Sequence, residues 1–262
     1  MRLGFVVLHY TFADLTGTCL ESLSRYAPAF PVLVVDNGSP EPLSASVPVL
    51  RLPENRCLAA AMNAGTARLL AETDVDVVVQ LNNDIVITAN THAQLSWAFA
   101  TRPRIGIVAP LMDQPDAGFM YHPCPHPPGD RAEAYLSETL PPHKVELVPF
   151  VDNAAWAIRR ATWDQIGRLE ERFSGASWGA NYDYCWRARL SGWETGLVRS
   201  AFVFHRHRAT WNLLDPNYAE RHAAVMMNEM RAVWGTMAEI VSHRRFVRRE
   251  RAQARGFPRQ GE

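Results

Sequence analysis

VVVQLNNDIVI, residues 77–87, is the stretch on which the reading of this chain turns. Val77, Val78 and Val79 lead through Gln80 and Leu81 to Asn82, Asn83 and Asp84, and the chain turns apolar again at Ile85. β-Branched residues favour pleated backbone, and a run apolar on both faces predicts a buried, parallel strand. An open α/β sheet places its ligand just outside the carboxyl ends of its strands, which is where the polar knot stands. A carboxylate and amide oxygens there suit a hard divalent cation, which in turn holds a diphosphate. The same residues also fill ordinary strand-to-helix turns, because Asn and Asp cap helices. The surrounding sequence has to decide between the two.

Outward from that strand the pattern repeats. Residues 3–8 (LGFVVL) read as a strand ending in His9-Tyr10-Thr11, and residues 31–39 (PVLVVDNGS) as a second one ending in a polar turn. Residues 47–52 (VPVLRL) form a third, kept near an edge by Pro48; residues 105–110 (IGIVAP) form another. Between them, Leu15, Cys19, Leu20 and Leu23 fall at helical spacing behind Asp14. Residues 58–72 are rich in Ala and Leu, and a helix is also expected near 91–100. Strands alternating with helices at these intervals predict an α/β fold with a doubly wound, mostly parallel sheet flanked by helices.

Downstream the signals are weaker. Residues 112–143, rich in Pro, Gly, His and Asp, read as a long surface loop. Strand pattern returns over 145–159, and a short helix is expected over 161–167. A Gly-rich link, 174–180, precedes a helix over 181–190 and a last strand over 195–204, which ends in His205-Arg206-His207. From Tyr218 a C-terminal helical extension carries an apolar stripe of Ala223, Met226, Met227, Met230, Val233, Trp234 and Met237. That stripe suits packing on its own sheet or on a second subunit, as in a homodimer. The organisation expected is one domain over 1–215, with a nucleotide-binding half (1–111) and an acceptor-side half (112–215). A helix and basic tail follow over 216–262.

Composition sets outer bounds. At 262 residues, 47% hydrophobic and 21% charged, the chain is an ordinary folded protein. A formal net charge of +0 gives no footprint for nucleic acid. Cys19, Cys57, Cys124 and Cys185 show neither zinc spacing nor a CxxC pair, which fits reduced thiols in a cytoplasm. The N-terminus runs straight into a strand, without a signal or a stretch long enough to span a bilayer. The tail residues Arg244, Arg245, Arg248, Arg249, Arg251 and Arg255 leave two readings open. One is a solvated terminus; the other is peripheral contact with anionic lipid at the inner face of the membrane.

Three polar knots thus stand at strand ends: His9-Tyr10, Asp36-Asn37-Gly38-Ser39 and Asn82-Asn83-Asp84. Neither GxGxxG after the first strand nor GxxxxGK[ST] is present, which argues against a dinucleotide dehydrogenase and a P-loop NTPase. Without a glycine cradle, a diphosphate needs another source of positive charge, and a metal on Asp84 would supply it.

The ordered motifs resemble the family 2 glycosyltransferases of GT-A fold, particularly the bacterial rhamnosyltransferase-like branch, over roughly residues 3–207. The resemblance is carried by Tyr10, by Asp36 and Ser39 in VVDNGS, and by PENRCLAAAMNAG (53–65) with Asn55, Asn63 and Gly65. LNND (81–84) stands where the family has its DxD motif, WAIRR (156–160) and DYCWRARLSGW (183–193) match its acceptor side, and Phe204-His205 matches its metal-site His. The resemblance implies a metal-dependent inverting transfer of a sugar from a UDP- or dTDP-sugar to a hydroxyl acceptor: a glycan, a lipid-linked saccharide or a small molecule. It implies Asp84 and His205 as ligands of Mn²⁺ or Mg²⁺, with His207 competing for the second role. It places His9, Tyr10, Asp36, Asn55, Asn63, Asn82 and Asn83 at the nucleotide, with Asp36 accepting from a pyrimidine N3–H. Trp156 and Trp178 fall to the acceptor.

One departure matters. The family carries an acidic pair before its CWR segment, and its first Asp is the usual base. Here Ala180-Asn181-Tyr182-Asp183 puts Asn181 at that position, and an amide takes no proton at neutral pH. Asp183 is the nearest substitute and Asp152 the second. The departure also motivates an alternative, a nucleotide-sugar binding protein or partner subunit with weakened catalysis. A sugar-phosphate nucleotidyltransferase lacks its expected Gly-rich basic loop.

Overall fold

The computed structural model describes residues 1–175, 177–206 and 217–235. Strand β1 (Leu3–His9) leads to helix α1 (Ala13–Tyr26), strands β2 (Val32–Asp36) and β3 (Val49–Arg51), and helix α2 (Leu58–Glu72). Next come β4 (Val77–Asn82), β5 (Ile85–Ile87), α3 (Thr91–Thr101) and β6 (Ile105–Met112). A 3₁₀ segment (Pro115–Met120), α4 (Asp130–Thr139), β7 (Val145–Leu147), β8 (Ala155–Arg159) and α5 (Arg160–Ile166) follow. Helix α6 (Ala180–Leu190), strand β9 (Glu194–His205) and helix α7 (Tyr218–Trp234) complete the described chain.

One nine-stranded sheet runs in the order β3-β2-β1-β4-β8-β6-β9-β5, with β7 also on β9. Strands β1, β2, β3, β4, β6 and β9 point one way, and β5, β7 and β8 run against them. The mostly parallel α/β architecture is therefore as expected, and β3 with its neighbouring Pro48 lies at an edge. Every residue of β6 is buried, and β1 and β4 are buried along nearly their whole length, as strands covered on both faces must be.

Local sequence explains the close packing. Gly65 in α2 lies where a Cβ would come within 2.4 Å of Val35 Cγ2 and 2.6 Å of Val6 Cγ1, so its missing side chain lets the helix settle onto β1 and β2. Gly38 holds φ +68°, and a Cβ there would meet the backbone of Glu54 at 2.2 Å. The VVDNGS turn depends on that glycine twice over. Cys57 caps α2, its sulfur accepting from the Ala60 N–H, and all four cysteines are free thiols.

Two expectations need correction. Residues 112–143 are not one surface loop: they hold the 3₁₀ segment and α4, which bury Phe119, Met120, Ala132 and Leu136. Their apolar residues are too sparse to show a period, yet Phe119, Met120, Ala132 and Leu136 are placed to fill the core edge. The 145–159 strand pattern splits into β7 and β8, which pair with different partners. The strand that opens the 77–87 run does end at its polar knot, and beyond it β5 leaves β4 to pair with β9 at the far edge. The Arg244–Arg255 basic run, His207 and Met237 lie outside the described residues. Among the described residues no helix is long and apolar enough to cross a membrane.

Candidate active site

A cavity of about 390 Å³ opens where β1, β2 and β4 end, at the edge where such a sheet binds ligands. Tyr10, Asn55, Asn82, Asn83, Asp84 and His205 line it together with Asp152, Asn181 and Trp178. The strand pairing of β5 with β9 sets Ile85 opposite His205, and the Arg206 N–H donates to the Asp84 carbonyl at 2.9 Å. Asp84 and His205, distant in sequence, thereby meet with Oδ1 and Nε2 3.5 Å apart, both side chains buried. Burial opposes charge on the His205 imidazole, but its hydrogen bond and charge interaction with Asp84, aided by Asp152 and Asp113, outweigh that and raise its pKa.

Asn82 adds a third donor atom. Its Oδ1 is buried and accepts no hydrogen bond from the described residues, an arrangement that costs free energy unless a ligand satisfies it. Among the described residues no three His, Cys, Asp or Glu side chains gather into a metal-binding group. A carboxylate, an imidazole and an unsatisfied amide oxygen nevertheless form a donor set that suits a hard divalent cation such as Mn²⁺ or Mg²⁺.

The nucleotide-side residues fall into two layers. Asn37 lines the cavity and fixes its neighbours: its Nδ2 donates to Asn55 Oδ1 at 3.1 Å and to the Arg56 carbonyl at 2.7 Å, and its Oδ1 accepts from the Arg56 N–H at 3.0 Å. His9 stands behind, almost wholly buried, its Nδ1 2.7 Å from Thr16 Oγ1, which also accepts from Asn83 Nδ2 at 3.2 Å. His9 thus braces Asn83 without lining the cavity. Burial lowers its pKa, with Asp36 pulling upward and Arg51 downward.

Asp36 is fully buried, its carboxylate accepting from the Ser39 and Leu43 N–H groups and from Arg51. Burial by itself would raise its pKa, but the hydrogen bonds from Ser39, Leu43 and Arg51 prevail and hold it below 3.8. Asn63 does not reach the cavity either. Its Oδ1 accepts from the Leu169 N–H and its Nδ2 donates to the Leu169 carbonyl, each at 2.9 Å, so it pins the loop after α5 onto α2.

Of the two carboxylates considered for the base, Asp152 lines the cavity and Asp183 does not. Asp183 is buried outside the cavity lining, accepting from Arg187 Nε at 2.9 Å and Trp234 Nε1 at 3.3 Å. Asp152 is exposed on the cavity wall; its Oδ1 accepts from the Ala154 N–H at 2.8 Å. Asn181 lines the cavity with its Nδ2 donating to the Val151 carbonyl at 2.8 Å, which braces the segment carrying Asp152. Trp156 is a core residue, 0% exposed, and its indole donates to Gln80 Oε1 at 2.8 Å while Gln80 Nε2 donates to Thr66. It has no surface left for an acceptor.

Sequence reading missed part of the lining: Arg56, Gln114, Phe119, Phe150 and Met226. Arg56 adjoins Asn55, already singled out. The apolar ones carried no local signal, because they come from separate segments that only the fold brings together.

No protein-family model matches the chain, and no curated protein sequence does. Solved structures do. GalNAc-T7 with UDP, GalNAc and Mn²⁺ superposes with a TM-score of 0.62 at 15% identity, over 78% of this chain and 44% of that one. The mannosyltransferase PcManGT from Pyrobaculum calidifontis, in complex with GDP-Man and Mn²⁺, gives 0.55 at 17% identity, over 87% of this chain and 64% of that one. TarS 1–349 of S. aureus in complex with UDP-GlcNAc gives 0.53 at 14% identity, over 79% and 59%. The chain spans less than two thirds of each, and the likeness is one of fold. The chain has the fold of the GT-A glycosyltransferases.

Proposed function

We propose that this chain transfers a sugar, with inversion, from a UDP- or dTDP-sugar to a hydroxyl acceptor, as a member of the family 2 glycosyltransferases and their rhamnosyltransferase-like branch. The observation that carries the reading is one cavity, at the strand ends of a GT-A sheet, that gathers Asp84, His205, the unsatisfied Asn82 oxygen and the exposed carboxylate of Asp152. The comparison structures holding nucleotide or nucleotide-sugar with Mn²⁺ support it.

Asp84, His205 and Asn82 would hold the divalent cation, which supplies Lewis-acid neutralisation of charge on the departing diphosphate. Tyr10, with the Asn37-fixed turn at Asn55 and Arg56, forms the nucleoside end of the site. Selection of a pyrimidine N3–H by Asp36 requires Arg51, 40% exposed, to release that carboxylate. Asp152 is the general base. It takes the proton of the acceptor hydroxyl as the oxygen bonds to the anomeric carbon and the bond from that carbon to the diphosphate oxygen breaks. The Ala154 N–H holds one Asp152 oxygen in place. Asn181 positions this carboxylate through the Val151 carbonyl and moves no proton.

Calorimetric titration of UDP with and without Mn²⁺ tests the reading. Binding that requires Mn²⁺ and is lost in Asp84→Ala is the expected result. Failure of every pyrimidine nucleoside diphosphate to bind in the presence of metal overturns it. Metal-dependent binding without donor hydrolysis or transfer favours the binding-protein alternative that Asn181 motivates.

A further inference from the structure

The cavity lining divides into two chemical classes. The amides and carboxylates of the strand ends form one, and Phe119, Met120, Phe150, Trp178, Tyr182 and Met226 form the other. Three rings of the second class are contiguous: Phe119 meets Phe150 edge-on at 5.7 Å, and Phe150 meets Tyr182 at 4.3 Å between centroids. Phe150 precedes Asp152 by two residues, so the aromatic wall adjoins the carboxylate that faces the acceptor hydroxyl.

Met226 comes from α7, which is fastened over this side by specific bonds. Glu229 accepts from the Ser174 N–H at 2.9 Å, Arg172 donates to the Ala232 carbonyl at 3.0 Å, and Trp234 donates to Asp183 at 3.3 Å. Trp234 also packs edge-on against Phe173, and Met230 is buried. The C-terminal helix is thereby part of the cavity wall.

We propose that this wall is an acceptor subsite for an apolar aglycone: the acceptor carries an aryl or alkyl group beside its reacting hydroxyl, and Met226 is a specificity-determining residue. The proposal rests on the glycosyl-transfer reading above. Of the six side chains, only Trp178 and Tyr182 have a strongly polar tip, so a wholly polar acceptor would leave water here for few hydrogen bonds in return. An apolar group gains by leaving water, and a flexible methionine fills irregular space around it.

The test is calorimetric titration of the full chain, with Mn²⁺ and saturating UDP, against methyl, hexyl and phenyl β-glucosides. At least one apolar glucoside should bind tighter than the methyl compound by about tenfold or more, within the discrimination that apolar pockets provide. The tighter of the two tells an aryl site from an alkyl one. Met226→Gln should cut the preference several-fold, and Met226→Leu, similar in size and apolarity, should keep it. Equal affinities for the three glucosides overturn the proposal, and a full preference in Met226→Gln overturns the assignment of Met226. Titration of UDP alone separates the two readings. UDP binding without aglycone preference sinks this inference and leaves glycosyl transfer standing, whereas absence of UDP binding sinks both.

Discussion

Exchanging each acceptor-side carboxylate for its amide should produce opposite phenotypes. Asp183 is 6% exposed and accepts from Arg187 and Trp234, so Asp183→Asn removes the charge from two hydrogen bonds and leaves Arg187 facing an amide. Hydrogen bonds to charged groups contribute about 1.5–3 kcal/mol each. The Arg187 guanidinium keeps its bonds to the Ile166 and Arg168 carbonyls, which limits the loss to about 2 kcal/mol by the same measure. For a chain of this size that is a fall in Tm of roughly 4–8 °C. Asp152 is exposed, and only its bond from the Ala154 N–H would be disturbed, a bond that an Asn oxygen also accepts. Asp152→Asn should therefore change stability by less than about 0.5 kcal/mol, yet slow transfer by about a hundredfold to ten-thousandfold through loss of the base. Thermal melts and single-turnover transfer, run on both variants with the same donor, are the assay. An unchanged melt with abolished turnover in Asp183→Asn, or full turnover in Asp152→Asn, would refute the assignment.

Gly65→Ala should destabilise by about 1–2 kcal/mol, because the strain of overpacking against Val6 and Val35 exceeds the helix propensity gained; urea unfolding measures it. Asp36→Asn should cost about 2 kcal/mol at pH 7 by loss of charge-assisted bonds. The folded Asp36 carboxyl lies below its ordinary 3.8, so its contribution is present above that pH and fades as the pH falls through the lower folded value. The gap between the variant and its parent, read from melts, should therefore close on acidification below 3.8. Asp84→Ala should weaken Mn²⁺-dependent UDP binding by more than about a hundredfold, beyond what loss of a residue outside the ligand set costs, and calorimetry reads it.

The sequence determined most of the elements and the sheet edge at which the cavity opens. The parallel strands show in it because burial on both faces forces continuous Val, Ile and Leu, as in residues 77–79 and 32–35. Gly38 and Gly65 stand where turn and close approach demand them, and the polar knots mark the strand ends because Asn and Asp there find hydrogen-bond partners in the turns, as Asp36 and Asn37 do. Tertiary structure alone decided which of these residues meet. Asp84 and His205 are brought together by an antiparallel pairing between β5 and β9, set by hydrogen bonds that no local pattern records. Asp183 and Asp152 are the same residue type, and their surroundings diverge because one finds Arg187 and Trp234 while the other faces the cavity. Arg187, four residues after Asp183, was the one clue to that pairing in the chain itself. Trp156 reads like an aromatic platform until Gln80 is found across the strand pair to take its indole N–H. A sequence records what each side chain prefers; the fold decides which preferences are met within the protein and which are left for a ligand.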